Sequence, residues 1–184
     1  MTQIIGISGS LRAGSFNTAL LRAAGSLMPN DAELAIESID DIPLYNFDIE
    51  SADGIPDAVR ILKDRLEHCD GLLISTPEYN NSIPGVLKNA IDWLSRPADD
   101  IDRVFGGLPV ALMGATPGAF GTTLSQAAWL PIMRTLGTEL WSGGRLMLPK
   151  AGNAFDSEGN LVDEAMRERL RRYVAGFVEF VDQD

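Results

Sequence analysis

Hydrophobic and polar residues alternate along this chain with two periods, which predict strands and helices in turn. Five short apolar runs are typical of buried strands. They span residues 3–8, 33–39, 71–75, 109–114 and 139–148, and the last run is interrupted at Gly143 and Gly144. Apolar residues three and four positions apart predict helices over residues 17–28, 84–95, 122–135 and 162–181, and one more that begins at Pro56. Residues 40–53 and 99–107 are polar, and we interpret both as irregular connections.

The order of these elements is a strand followed by a helix, five times over. Regular alternation of this kind predicts a parallel sheet with helices on both faces. Five strands fit the flavodoxin-like, doubly wound α/β fold, with strand order 2-1-3-4-5 and ligand sites at the carboxyl ends of the strands. The chain has 184 residues, which matches one such unit, so we predict a single domain over residues 1–184.

Charge and hydropathy narrow the range of partners. The formal net charge is −11, whereas nucleic acids and anionic membranes bind basic surfaces. We therefore expect no nucleic-acid partner. No apolar run reaches the roughly 18 residues of a membrane span, and the first residues lack the basic and apolar segments of a signal peptide. We expect a cytoplasmic protein without a membrane span.

The rare residues exclude several kinds of chemistry. The chain has one cysteine, Cys69, and one histidine, His68. One of each is too few for an intrachain disulfide or for a zinc site of the Cys/His type. We expect Cys69 to pack in the core and His68 to lie at a helix end. No side chain is an evident general acid or base, so we predict no catalytic side chain and no metal site.

The loop after the first strand leads directly into a helix. A helix N-terminus presents unpaired N–H groups and a positive end, which suit a phosphate. Hydroxyls of Ser10, Ser15 and Thr18, the amide of Asn17 and the guanidinium of Arg12 are candidate donors to it. The glycines fit neither a Walker loop nor the G-x-G-x-x-G fingerprint. We predict a site for one compact dianion; the alternative is a plain helix cap at Ser15 or Asn17.

Two further loops follow strands at the same predicted edge of the sheet. Residues 75–85 are dense in amide and aromatic groups, and residues 115–123 are rich in glycine. Because the carboxyl ends of parallel strands share one edge, three loops could enclose one ligand, with a phosphate at the first and a planar ring between the other two. That is the shape of a flavin mononucleotide (FMN) site. The alternative for the second loop is an ordinary connection with Pro84 in the first helical turn.

Two sequence stretches resemble one known family. Residues 9–17 read G-S-L-R-A-G-S-F-N, and residues 77–93 read P-E-Y-N-N-S-I-P-G-V-L-K-N-A-I-D-W. Together with T-P-G at 116–118, they resemble the NADPH-dependent FMN reductase family, and within it the quinone/chromate reductase branch. The resemblance extends to about residue 148.

The resemblance implies which residues hold FMN, with NADPH or NADH as the reductant. The positions that match the family's phosphate site are Ser10, Arg12, Ser15, Phe16, Asn17 and Thr18. Those that match the segments along the flavin ring are Pro77, Glu78, Tyr79, Asn80, Thr116, Pro117 and Gly118. It also implies a homodimer or homotetramer with the site near the interface. Several members of the branch have an arginine where this chain has Thr123-Leu124, so contacts of that arginine are not carried over.

We therefore expect an oxidoreductase that passes hydride from NAD(P)H to bound FMN and then electrons to a small acceptor. A quinone, free flavin, chromate, a ferric chelate and an azo compound all remain open as acceptors. A flavodoxin-type electron carrier and a non-catalytic flavin-binding sensor are the alternatives. A response-regulator-like domain is disfavoured, because the third strand ends in Ser75-Thr76-Pro77 and not in aspartate. Trp93 and Trp129 fall on predicted helices, and we favour the interface over the core for both.

Overall fold

The structure is a computed structural model that describes residues 1–183. The strands are β1 (Thr2–Ser8), β2 (Ala32–Glu37), β3 (Gly71–Ser75), β4 (Pro109–Ala115), β5 (Glu139–Leu140) and β6 (Leu146–Leu148). The α-helices are α1 (Phe16–Gly25), α2 (Phe47–Asp53), α3 (Asp57–Glu67), α4 (Gly85–Leu94), α5 (Ile101–Phe105), α6 (Thr123–Leu136) and α7 (Glu164–Val181). Within this described part, no helix is both long enough and apolar enough to cross a membrane.

The strands form one parallel sheet in the order β2-β1-β3-β4-β5, and β6 also pairs with β4. The predicted strand order is confirmed. The predicted fifth strand is two short strands, because β5 pairs with Pro109 and Val110 whereas β6 pairs with residues 113–115. Residues 141–145 therefore bulge opposite Ala111 and Leu112, at the double glycine in the sequence.

Helices cover both faces of the sheet. On one face, α1 and α7 bury side chains such as Leu20, Leu21 and Phe177 against the strands. On the other face, α3, α4, α5 and α6 bury a second apolar cluster that includes Leu62 and Ile91. The strand β3 is buried along its whole length, as its uninterrupted apolar sequence predicts for a central strand. The doubly wound α/β class is confirmed.

Two predicted connections contain short helices. Helix α2 lies within residues 40–53; the Asn46 side chain caps it, and none of its residues is buried. Helix α5 lies within residues 99–107 and buries Val104 and Phe105. Neither helix is long enough to show an apolar period, so polar composition dominates the pattern.

Both tryptophans on the predicted interface lie in the core of the chain instead. Trp93 and Trp129 are completely buried. Each indole N–H has a protein acceptor, the Pro43 carbonyl for Trp93 at 2.8 Å and the Thr76 hydroxyl for Trp129 at 3.1 Å. A large ring with a satisfied N–H packs in a core at little cost, so the interface prediction for these two residues is wrong.

The cysteine and histidine do not form a reactive pair. Cys69 is partly buried beside the core, and burial raises the pKa of its thiol to about 11. His68 follows the last residue of α3, as predicted, and its Nδ1 lies 2.7 Å from the Asp64 carbonyl oxygen. A thiol with so high a pKa stays protonated at neutral pH and is a poor nucleophile.

Candidate functional site

Strand register brings three loops together at the carboxyl edge of the sheet. Ser8 pairs with Ser75, which in turn pairs with Met113, so β1, β3 and β4 end side by side. We call residues 9–15 the first loop, residues 76–84 the second loop and residues 116–122 the third loop. The edge where they meet is the predicted ligand site of this fold.

Amide groups of the first loop lack protein acceptors. The N–H groups of Leu11, Arg12, Ala13, Gly14 and Phe16 donate no hydrogen bond to any residue in 1–183. The first loop and the first turn of α1 therefore present five free donors within six residues. An anion suits such a set, because the free N–H groups of the loop and the positive N-terminus of the helix both attract negative charge.

Two side chains near these amides are available to a ligand. Ser10 is largely buried, and its hydroxyl has no hydrogen bond within the described residues. The Arg12 side chain makes one hydrogen bond, to the Gly14 carbonyl at 2.9 Å, and no ion pair with any described carboxylate. Together with the free amides, they provide the hydrogen-bond donors that a phosphate dianion requires.

Other predicted residues at this loop also bond within the protein. The Ser15 hydroxyl accepts from the N–H groups of Asn17 and Thr18, so Ser15 is the cap of α1. Its own O–H donates to no described residue, so donation to a phosphate stays a prediction. The Thr18 hydroxyl donates to Ser8 at 2.9 Å. Phe16 stacks on Phe155, with ring centroids 5.8 Å apart.

The amide of Asn17 holds the framework together. Its Nδ2 donates to the Ala115 carbonyl at 2.9 Å, and its Oδ1 accepts from the Ala115 N–H at 2.9 Å and the Ser75 hydroxyl at 3.1 Å. This almost completely buried side chain joins α1 to the ends of β3 and β4. These hydrogen bonds fix where the first loop ends and α1 begins. They use one of the two Nδ2 hydrogens, so donation of the other to a phosphate stays a prediction.

A cleft of about 230 Å³ lies beside the first loop, on the side of β2. Arg12 and Arg22 line it, and so does Asp40. Hydrogen bonds from the Ser38 hydroxyl and from its own backbone N–H hold the pKa of Asp40 below its usual value, so this carboxylate is ionised at neutral pH. Glu37 lines the cleft as well, so the cleft combines two arginines with two carboxylates.

The second loop ends in a tight turn. Tyr79 and Ser82 exchange two backbone hydrogen bonds, of 3.1 and 3.0 Å, around Asn80 and Asn81. Both asparagines have positive φ, 50° and 61°, which is the type I′ pattern and which asparagine tolerates better than most residues. The turn presents Tyr79 to solvent, with 44% of its surface exposed. The polar composition of this loop is thus partly a requirement of its backbone.

Close packing joins the second loop to its neighbours. A Cβ atom on Gly9 would lie 2.8 Å from the Pro77 ring, and one on Gly114 would lie 2.2 Å from the Thr76 carbonyl oxygen. Only glycine allows both approaches. The Thr76 hydroxyl is also within 2.9 Å of the Ser125 hydroxyl in α6. The base of the site is therefore closely packed.

A fourth segment, residues 149–153, was not among the predicted site residues. The Lys150 N–H donates to the Gly118 carbonyl and the Ala151 N–H to the Thr116 carbonyl, so the segment supports the third loop. Lys150 has φ of 50°, which is unusual for lysine, and its ammonium forms no ion pair within residues 1–183. In the sequence, the only indication of this segment is a lysine after the predicted fifth strand. Because that strand is two short strands in the structure, the sequence pattern does not show that the lysine lies beside the third loop.

The geometry fits an elongated ligand with an anionic end. The free amides, Ser10 and Arg12 form one end of the site, and the second and third loops flank the other. Among the described residues of these loops, no hydroxyl or amine is hydrogen-bonded to a carboxylate or imidazole that could act as its base. Such a site suits a cofactor that brings its own reactivity.

Comparisons with known proteins agree with this geometry. A family model described as NADPH-dependent FMN reductase matches residues 2–153. An NAD(P)H-dependent FMN reductase of Pseudomonas aeruginosa is 41% identical over 170 residues, which cover 92% of this chain and 90% of that protein. A 2-hydroxy-1,4-benzoquinone reductase of Burkholderia is 38% identical over 175 residues, covering 95% and 93%. Among solved structures, FerB, a flavoenzyme NAD(P)H:(acceptor) oxidoreductase of Paracoccus denitrificans, has a TM-score of 0.88 and 34% identity over 100% of this chain and 98% of its own.

Proposed function

The chain belongs to the NADPH-dependent FMN reductase family, and we propose that it is an NAD(P)H-dependent FMN oxidoreductase whose acceptor is a quinone. The observation that carries the proposal is the set of five amides without acceptors at the first loop. The family model covers this loop and the two others. The relatives over nearly the whole chain are named reductases, which disfavours an electron carrier or a sensor.

The FMN phosphate binds at the first loop in this proposal. The free N–H groups, the Ser10 hydroxyl and the Arg12 guanidinium hold it, and Ser15 and Thr18 shape the helix end. Asn17 keeps the loop in place through its hydrogen bonds to Ala115 and Ser75. A local positive site of this kind offsets the overall negative charge of the chain.

The flavin ring lies between the second and third loops in this proposal. Pro77, Glu78, Tyr79 and Asn80 border one side of it, and Thr116, Pro117 and Gly118 border the other. When bound, FMN supplies the hydride chemistry between nicotinamide and quinone. The chain's own residues bind the cofactor, orient it and restrict the water around it.

In this proposal the protein is cytoplasmic. The chain also forms a homo-oligomer in this proposal. Phe120 in the third loop is 91% exposed, and Leu124 in α6 is 50% exposed. Large apolar side chains so exposed at the rim of a site are typical of an interface. Light scattering of the purified protein tests the assembly; we expect a dimer or tetramer, and a monomer at micromolar concentration would contradict it.

The absorbance spectrum of the purified protein tests the main proposal. We expect flavin bands, bleaching on anaerobic addition of NADPH or NADH, and recovery on addition of benzoquinone. Turnover with benzoquinone, free FMN and ferricyanide then ranks the acceptors. Apoprotein that binds no FMN would contradict the proposal, and so would bound flavin that neither nucleotide reduces.

A further inference from the structure

The second and third loops are joined at two levels. At the base, the Thr76 N–H donates to the Met113 carbonyl at 2.8 Å, and the Thr76 hydroxyl contacts Ser125 and Trp129 of α6. These groups are completely buried. These buried contacts fix the positions of the two loops next to the sheet. They do not fix the distance between the loops further from the sheet.

Glu78 makes the connection further out. Its Oε2 accepts from the N–H groups of Leu124 at 2.8 Å and Ser125 at 3.1 Å, in the first turn of α6. Glu78 is the third residue of the second loop, next to the turn that begins at Tyr79. The third loop runs directly into α6. One carboxylate oxygen thus joins the two sides of the space between the loops.

Helix α6 depends on this contact for its cap. The residue before the helix, Thr122, makes no capping hydrogen bond; its hydroxyl accepts from the Gln126 side chain at 3.0 Å. Helices are usually capped by the residue at their own start. Here the cap comes from a residue 46 positions earlier in the chain.

We propose that Glu78 is a positioning residue that sets the separation of the second and third loops, and through it the affinity for the flavin ring. The inference rests on the proposed function, since the ring lies between these loops. It assigns to the Glu78 side chain a role through α6 and not through contact with the ring. This role requires a side chain that is long enough to extend from the second loop to α6, which we call its reach. It does not require a negative charge, because both hydrogen bonds are to backbone N–H groups.

Three substitutions separate reach from charge. Glu78→Ala removes the acceptor, Glu78→Asp keeps the charge on a side chain one methylene shorter, and Glu78→Gln keeps the reach without the charge. We measure FMN affinity by fluorescence titration of each apoprotein. We expect Glu78→Ala and Glu78→Asp to bind FMN about tenfold more weakly, and Glu78→Gln to stay within about threefold of the parent. The buried contacts of Thr76 remain in all three variants, so α6 stays in place.

A second helix cap provides the control. The Asp163 side chain caps α7 by accepting from the Met166 N–H at 2.9 Å, and its other hydrogen bonds lie within residues 154–167. Asp163→Ala loses a cap of the same kind, so we expect a similar fall in melting temperature to that of Glu78→Ala, with FMN affinity unchanged.

The outcomes are distinguishable. Failure of the parent apoprotein to bind FMN would overturn the proposed function and this inference together. If the parent binds FMN, the inference alone is overturned when Glu78→Ala binds equally well, when Asp163→Ala loses as much affinity, or when Glu78→Asp retains affinity and Glu78→Gln loses it. If Glu78→Ala does not fold, the aspartate and glutamine variants still decide between reach and charge.

Discussion

Helices α1 and α6 both begin at the carboxyl edge of the sheet, but their first turns have different partners. At α1, Ser15 accepts two N–H groups from its own helix, and five other amides nearby have no acceptor. At α6, the carboxylate of Glu78 occupies the first turn. A protein side chain thus supplies an acceptor at the start of α6, while the amides near the start of α1 have none within the described residues. Unpaired N–H groups at a helix N-terminus tether a loop in one place, and in our proposal they bind the cofactor phosphate in the other.

The largest expected effect tests how α1 is held. Asn17→Ala removes three buried hydrogen bonds and leaves the Ala115 backbone groups and the Ser75 hydroxyl unpartnered. We expect a loss of about 3 kcal/mol in the free energy of unfolding of the apoprotein, because buried polar groups without partners are costly. Urea unfolding measures it.

The control for this prediction is Asn30→Ala, at an exposed asparagine whose side chain has no hydrogen bond among the described residues. We expect a change within about 0.5 kcal/mol for it. An Asn17→Ala protein as stable as this control would show that the buried amide does not hold α1 in place.

The next effect tests whether the open helix end binds the phosphate. Arg12→Ala removes the guanidinium from the first loop, and we expect FMN affinity to fall about 30-fold, or about 2 kcal/mol. Thermal stability of the apoprotein should not change, because the only hydrogen bond of the Arg12 side chain among the described residues is to the exposed Gly14 carbonyl. Fluorescence titration and thermal melting measure the two quantities.

Arg22→Ala is the matched control, since Arg22 lines the same cleft from further along α1. We expect less than about a threefold loss of affinity for it, from the general electrostatic term alone. Equal losses for the two arginines would place the phosphate in the cleft and not at the free amides.

The smallest effect concerns one opposing charge in that cleft. Asp40→Asn removes a carboxylate that is ionised at neutral pH, because the Ser38 hydroxyl and its own backbone N–H hold the pKa of Asp40 below its usual value. We expect FMN affinity to rise about twofold at low salt and the difference to disappear at high salt. Titrations at two salt concentrations measure this.

Asp31→Asn, at the amino edge of the sheet, serves as the comparison for this charge change. The same rise in affinity from this distant position would show that overall charge, and not the local field at α1, is responsible.

Much of the fold can be predicted from the local pattern of apolar and polar residues in the sequence. The central strand β3 was predicted to the residue, because a buried strand is apolar throughout. Helices α2 and α5 were not predicted, since seven and five residues are too short for an apolar period and depend on caps and on packing. Whether Trp93 and Trp129 lie in the core or at an interface depends on whether the fold supplies acceptors for their N–H groups. The spacing of residues in the sequence does not show this.

The candidate site was predicted as a set of loops rather than as a set of contacts. Strand order alone places the three loops together. The partners of Asn17 and Glu78 lie up to 98 positions away along the chain, so no local pattern indicates that their side chains act on the framework. Lys150 was missed for a related reason, because its place beside Gly118 depends on how the split fifth strand pairs with β4.

If the five free amides of the first loop hold the FMN phosphate, as we propose, the lifetime of the protein in the cell depends on its cofactor supply. The unfolded chain has no such loop, so a ligand that binds there favours the folded state. At a free FMN concentration 100 times the Kd, this linkage adds about 2.7 kcal/mol to the free energy of unfolding. Proteases act mainly on unfolded chains. Cells short of riboflavin would therefore clear this protein faster, and its steady-state level would follow flavin availability without any change in its synthesis.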